Sequence, residues 1–529
     1  MKKIVIVVVV LAAVLLLAPF AVGRLAEARL NKGLDKLVEE MPYVVIADRK
    51  WSGGWFKSEQ LVTLQVSETW VKMMNPEAVK AILEQDNQEA EAAMDAEGTA
   101  QEPLPETNPE SVPDGQESAG EEPAPDAPVA PTGIPASFTI RNEVLHGPVL
   151  GLSGFGIARV DTHLDLPADV KAKIAEVFGP KPALTTRTRV HFFGGATTTF
   201  TSEGRTIKPK EDEGEFTYET FKMSVGVSGN ADKYDVDGGM AGARGKGKDG
   251  GTFSMKGMTL GGDGKRVLGD IYDGDFAFKI QEIAVTGPDD VEVMSLQDLH
   301  YIVESKTQDD FVTIGAKLGT GAFKSKDMAD LGLEIKEVHY DFSLRHLQIA
   351  ALNNMMKSMR DMYASPLLNP ADIENTIIGP MKEHGTELLK HDPEFSFDRV
   401  GLVTPEGEGV LKGVIKFIGV TPEDLTSAGA MGLIGKLEAD ITIEVAQKLA
   451  EKFPNGATMA GAAVDGGYAK REGDKLVCKV LFKNGELTVN GKPQAIPGLG
   501  GPPPGAMEGG EMDHGAMEDP NAAPPAPQE

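Results

Sequence analysis

Alternation of apolar and polar positions, the period of a half-buried strand, runs through this chain from residue 42 to 83 and again from 137 to 496. In LVTLQVSETW, Val62, Leu64 and Val66 alternate with polar neighbours. In GEFTYETFKMSVGVSG the apolar positions are Phe216 and Tyr218, then, one residue out of step, Phe221, Met223, Val225 and Val227. FAFKIQEIAVTG repeats the slip, with Phe276, Phe278 and Ile280 followed by Ile283 and Val285. A slip of one residue in a period of two predicts a bulge. Turns rich in glycine, such as DVDGGMAG and GGDGK, separate the runs, so the pattern predicts a long antiparallel meander with one buried face. WSGGWF, residues 51–56, predicts a hairpin bend at Ser52-Gly53-Gly54, with Trp51 and Trp55 packed on a sheet face beside it. LVCKVLFKNGELTVNGKP closes the body as a second hairpin, turning at Asn484-Gly485.

Helical spacing is rarer. PADVKAKIAEVFG (167–179) predicts one short helix. Residues 346–363 predict a second, with Ile349, Leu352, Met355, Met356, Met359 and Met362 on one face. Residues 369–392 predict a third, broken at Gly379-Pro380, and residues 444–453 a fourth. The fold class is therefore α+β, predominantly β: an extended antiparallel meander sheet with a few helices. One N-terminal transmembrane helix is expected before it.

That expectation rests on the uncharged run Ile4–Val22, whose nineteen residues suffice to cross about 30 Å of hydrocarbon. A cleaved secretory signal is the competing reading, with Ala21 and Gly23 at the cut. The length of the run and Pro19 favour an uncleaved anchor over residues 1–23. Lys2 and Lys3 place the short end in the cytoplasm, although Arg24, Arg29, Lys32 and Lys36 beyond the run weaken the asymmetry. Residues 24–41 then read as a stalk helix bearing Leu25, Ala28, Leu34, Leu37, Val38 and Met41, packed against its own domain or a second copy.

Charge divides the chain further. The net charge is −28. Fourteen of the negative charges lie between Glu84 and Asp126, and six more follow Gly498, with no Lys or Arg in either stretch. Residues 84–136 and 497–529 therefore read as disordered acidic segments, an insertion and a tail. The balance opposes binding to phosphate backbones, which excludes nucleic acid. Cys478, the one cysteine, has no internal partner and is expected to be buried in a core strand.

Motif chemistry is sparse. No HExxH, GxSxG or CxxC occurs. LGTGAFKSK (318–326) lacks the spacing of a phosphate loop and reads as a turn. Asp270, Asp273 and Asp275 lack the remainder of a calcium loop, and His146 in LHGP reads as the organiser of a turn. The tryptophans of WSGGWF read as an aromatic clasp before a ligand platform, and the methionines of 355–362 as core filling before a binding face. In the tail, Met507, Met512, His514 and Met517 form a set of soft ligands suited to Cu(I), although a low-complexity tail needs no ligand. No catalytic, cofactor-binding or metal residue is assigned, and no enzyme activity is expected.

The order of these features resembles the YdgA family of bacterial envelope proteins. The resemblance is carried by the aromatic-glycine motif WSGGWF, the strand Asn142-Glu143-Val144-Leu145-His146-Gly147-Pro148 and the terminal hairpin LFKNGELTVNGKP. It covers residues 1 to about 496 apart from the acidic insertion. It implies an inner-membrane protein with its body in the periplasm, capable of self-association, and it supplies no catalytic residues. The function expected is a non-enzymatic binding or scaffolding role in the cell envelope, with an envelope protein or lipid as partner. The alternative is carriage of a lipid or other apolar ligand in a groove of the sheet.

Overall fold

The computed structural model describes residues 22–35, 38, 41, 44–66, 137–166, 168–208, 214–364, 379–421, 423–424 and 430–495. The Ile4–Ala21 part of the apolar run, the insertion 84–136 and the tail 497–529 lie outside them. Among the described residues no helix is long and apolar enough to cross a membrane.

Among the described residues, twenty-three strands form one antiparallel sheet. It begins with β1 (Val44–Gly53), β2 (Lys57–Val66), β3 (Ser137–His146), β4 (Ala158–Asp165), β5 (Thr185–Val190) and β6 (Ala196–Ser202), each paired with the next. The short β7 (Arg205–Ile207) and β8 (Glu215–Tyr218) lead to β9 (Phe221–Val227), which returns to pair with β6. Next come β10 (Lys233–Lys246), β11 (Thr252–Leu268), β12 (Ile271–Thr286), β13 (Glu292–Gln308) and β14 (Phe311–Thr320), the longest hairpins of the meander. After β15 (Phe323–Ser325) the order continues through β16 (Glu337–Gln348), β17 (Glu394–Thr404), β18 (Gly407–Phe417) and β19 (Leu437–Ala446). The last strands are β20 (Lys470–Glu472), β21 (Lys475–Lys483), β22 (Glu486–Val489) and β23 (Lys492–Gln494). The meander read from the sequence is thus present.

Directly opposed residues of an antiparallel pair share a face, so the register follows a face across the whole sheet. One such row runs Val144, Val160, Thr188, Thr198, Val225, Val236, Gly262, Phe276 and Val303. It continues through Ala316, Phe342, Phe397, Gly413, Ile441, Val480 and Val489. No charged residue occurs in it. The adjoining row on the other face holds Glu143, Asp161, Arg187, Asp237, Lys317, Asp341 and Arg399. Along these two rows, period-two patterning sorts charge onto one side of a single layer.

The two slips seen in the sequence fall on one line. Pairing is interrupted at Ala241, Gly257, Gln281 and Asp298 without a change of register, and the break between β8 and β9 lies opposite the first of these. Gly257 and Asp298 adopt left-handed backbone, φ 63° and 53°. Gly257 is the residue type that makes such a turn cheap. A crease thus crosses β8 to β13, and the slips at Tyr218/Phe221 and Ile280/Ile283 are two points on it.

Helices cover only parts of the uncharged face. α1 (residues 22–35) lies on β2–β5, where Val22, Ala26 and Leu30 pack on Val144, Ile157, Ala158, Val160 and Val190. Its inward stripe is therefore not the one the sequence suggested: Leu25 and Ala28 face solvent. The helix packs on its own domain, one of the two partners expected for it. α2 (Ala168–Phe178) links β4 to β5, and α3 (Lys326–Asp330) follows β15 with Ser325 as its N-cap. α4 (Ile349–Ala364) and α5 (Gly379–Leu389) close one end of β12, β14 and β16, where Leu352, Met355, Met356 and Leu388 gather around Val312 and Leu347. The predicted helix began three residues too early, because His346, Leu347 and Gln348 complete β16. α6 (Ala430–Ile434) precedes β19. α7 (Gln447–Lys452) sits at the opposite end of the strands with Leu449 against Leu333 and Ala446, and α8 (Gly456–Asp465) is a helix the sequence reading missed.

Candidate functional site

The family-like motifs of the N-terminal half meet under α1. Ser58 of β2 and His146 of β3 are both buried, and their Oγ and Nε2 atoms lie 2.9 Å apart. His146 Nδ1 is 3.1 Å from the carbonyl oxygen of Trp55. A carbonyl only accepts, so Nδ1 carries the proton and Nε2 accepts from the serine hydroxyl. The backbone N–H of His146 also donates to the Phe56 carbonyl at 2.9 Å. A serine–histidine pair was invisible in the sequence because the two residues are 88 positions apart. Its hydrogen bonds are taken up in holding the β1–β2 turn to β3, and α1 presses on it from above: a Cβ at Gly23 would lie 2.4 Å from the His146 ring. The turn-organising reading of His146 describes this geometry.

Next to this pair lies a second row on the same face: Trp51, Gln60, Asn142 and Thr162. Thr162 Oγ1 donates to Asn142 Oδ1 (2.7 Å), Asn142 Nδ2 to Gln60 Oε1 (2.9 Å), and Gln60 Nε2 to Asn31 Oδ1 of α1 (2.9 Å). Each buried amide finds its partner, which is what makes burial of these groups affordable. Trp51 packs on this core, whereas Trp55 and Phe56 are exposed. The aromatic clasp is thus made by one tryptophan, not two.

The same row then changes character. Beyond Thr186 it reads Phe200, Met223, Gly238, Leu260, Phe278, Tyr301, Leu318, Tyr340, Val400, Leu411, Ile443 and Cys478. None of these side chains is buried. Tyr301, Leu318 and Tyr340, opposed on successive strands, are 42%, 44% and 45% exposed. Phe342, Phe395 and Phe397 pack beside them, with ring centroids 4.8 to 5.9 Å apart. At about 4.8 Å per strand, the stripe from β6 to β21 extends roughly 50 Å across the sheet. Cys478, expected in the core, is half-buried at its end, and burial raises its thiol pKa.

The reverse side of this region is charged and closely packed. His339 of β16 is 3% exposed, and neither ring nitrogen has a hydrogen-bond partner. Glu337 and Glu408 carboxylates lie 3.6 and 3.8 Å from its two nitrogens, and both accept hydrogen bonds from Arg399. Burial, then the Arg399 guanidinium, pulls the imidazole below its ordinary pKa, against the opposing pull of Glu337, Glu408 and Asp341. Further along, Asp235, Asp263, Asp275 and Glu304 stand directly opposite one another on β10–β13. Hydrogen bonding to Lys317 holds Glu304 below the usual carboxylate range.

Other sequence candidates are separated by the fold. Asp270 pairs with Arg360 of α4, Asp273 accepts from Thr307, and Asp275 joins the acidic row. LGTGAFKSK spans the end of β14, β15 and the start of α3. Met355 and Met356 fill core, as expected, while Met359 is exposed. Among the described residues no group of His, Cys, Asp and Glu is arranged to hold a metal ion. Met507, Met512, His514 and Met517 lie outside the described residues.

Architecture thus defines a class: a single-layer antiparallel meander, clasped by a helix at one end and bearing an open apolar stripe on the rest. The chain belongs to the family described as "Bacterial protein of unknown function (DUF945)", whose model matches residues 1–497. The match runs through the acidic insertion that the sequence resemblance set apart, and it stops where the acidic tail begins. No curated protein and no solved structure matches the chain.

Proposed function

We propose that this is a non-enzymatic binding scaffold of the YdgA type, anchored in the bacterial inner membrane by its N-terminal run with its body in the periplasm. Its apolar stripe receives an extended apolar surface of an envelope protein. The observation that carries the reading is the row Tyr301–Leu318–Tyr340, exposed on three adjoining strands in the middle of the sheet. Contiguous exposed apolar surface on a folded protein marks a place where something docks. The Ser58–His146 pair supports binding over catalysis, since both its partners are spent on structure. Carriage in a groove is supported less well, because the clefts at Arg345–Glu444 and His191–Asp273 are lined largely by polar and charged side chains.

The test places a photoreactive residue at Leu318 in cells, with Asp341 on the opposite face as control. A discrete protein adduct from position 318, lost when Tyr301 and Tyr340 are replaced by lysine, is expected. Adducts with lipid alone would replace the scaffold with the carrier, and equal labelling from both positions would refute a stripe-specific site.

A further inference from the structure

Six exposed apolar side chains crowd one corner of the molecule. The β1–β2 turn carries Trp55 and Phe56, the loop between β3 and β4 carries Val149 and Phe155, and the β5–β6 turn carries Phe192 and Phe193. Phe155 is 71% exposed and Phe193 fully so. The register places all three connections at the same end of the sheet, side by side: Lys57 pairs with Leu145, and Ala158 with both His146 and Val190. Hydrogen bonds tie them together, from His146 N–H to the Phe56 carbonyl (2.9 Å) and from Ile157 N–H to the Val190 carbonyl (2.8 Å). Large apolar residues at the tips of three neighbouring turns do nothing for the core. On the same end of the sheet, the later strands have their apolar residues covered by α4 and α5.

The position of α1 says what these turns face. Val22, the first described residue of α1, packs on the core at this corner, and Gly23 touches His146, the last residue of β3. From there α1 runs along the strands away from the turns, and its Asp35 pairs with Arg49 in the middle of β1. The uncharged run Ile4–Val22 therefore joins the folded body beside the three aromatic turns. Tryptophan is favoured at the level of lipid head groups, and phenylalanine buries its ring at the boundary between head groups and acyl chains. A hairpin tip can sit there because water still reaches its backbone, as it does not in the hydrocarbon core.

We propose that these three turns form a membrane-interface tip, seating the body against the bilayer surface next to its anchor with the strands rising away from it. The inference rests on the reading of residues 4–22 as a membrane anchor, and the test separates the two. Full-length Cys478→Ser protein receives single cysteines by Phe56→Cys, Phe155→Cys or Phe193→Cys. Val291→Cys serves as an equally apolar control, because Val291 is exposed in the β12–β13 turn at the opposite end. Each cysteine is labelled with a polarity-sensitive fluorophore, and the protein is reconstituted into phosphatidylcholine–phosphatidylglycerol vesicles with brominated acyl chains.

Co-flotation with the vesicles, with quenching at least threefold stronger at the three tip positions than at 291, is expected. Co-flotation with no such difference overturns the tip and leaves the anchor standing. Failure to co-float removes the anchor and the tip together. Hydrogen exchange on the unsubstituted chain gives the same answer without relying on the variants. Slowed exchange at residues 54–57, 148–156 and 191–195 on adding vesicles, but not at 287–291, is expected, and equal exchange at both ends refutes the tip.

Discussion

Gln60 and Tyr340 stand in one row on one face of one sheet, yet the glutamine is fully buried and the tyrosine is 45% exposed. The chemistry of the row is the reverse of what solvent alone would select. Polar side chains occupy its covered part and apolar ones its open part. The cover explains the first half. α1 brings Asn31, which completes the chain Thr162–Asn142–Gln60, so polar groups there lose water but gain partners. No helix reaches Tyr301, Leu318 or Tyr340 among the described residues, and these leave the apolar surface there open. The difference teaches that exposure in this molecule follows from where helices lie and not from side-chain type. The open stripe is the surface proposed above as the docking site.

This contrast has measurable consequences. The largest is expected from one and the same change made in both regions. Val160→Asp puts an unpaired charge beneath α1 and should cost upward of about 4 kcal/mol, abolishing folding or nearly so, whereas Leu318→Asp should cost about 1 kcal/mol or less. Urea unfolding of both variants measures the gap, and similar costs would show that the stripe is as tightly packed as the clasp. His146→Ala leaves Ser58 and the Trp55 carbonyl without their partner and should cost about 2 kcal/mol, read as a lowered melting temperature.

Acidity should act on the reverse side of the stripe region. Because the folded-state pKa of His339 lies below its unfolded value, the unfolded chain takes up a proton first as pH falls. The stabilisation is complete above the unfolded pKa of about 6.5 and declines as pH drops through it toward the lower folded value. Melting curves at pH 7.5 and 5.5 should converge for His339→Gln relative to the parent. An unchanged difference between the two curves would remove His339 as the cause. The smallest effect is a gain: Asp263→Lys places a cation between Asp235 and Asp275 and should stabilise by about 0.5 kcal/mol, detectable as a rise in denaturation midpoint at low salt.

Much of this was legible one residue at a time. The alternation in Phe276, Phe278 and Ile280 followed by Ile283 and Val285 announced both a strand and its break, and Asn484-Gly485 announced a turn whose residues indeed have φ 54° and 79°. Met355 and Met356 of α4 went to the core as their spacing required, whereas Met359 of the same predicted face lies exposed. What escaped was whatever depends on residues far apart in sequence. Helix α1 has apolar residues on more than one side, so periodicity alone selected Leu25 and Ala28 where packing chose Val22, Ala26 and Leu30. WSGGWF showed a bend, but whether each tryptophan lies inside or outside depends on the helix laid over Trp51.

Local pattern suffices for the strands, most of their turns and the rows along which charge is sorted, because a period of two and the backbone freedom of glycine are local properties. Which parts of the uncharged face are covered follows from tertiary packing, since burial is a relation between segments that no single stretch contains. That packing alone set Ser58 against His146, aligned the breaks of four strands into one crease, and gathered the aromatic residues of three separate turns at the corner where α1 begins.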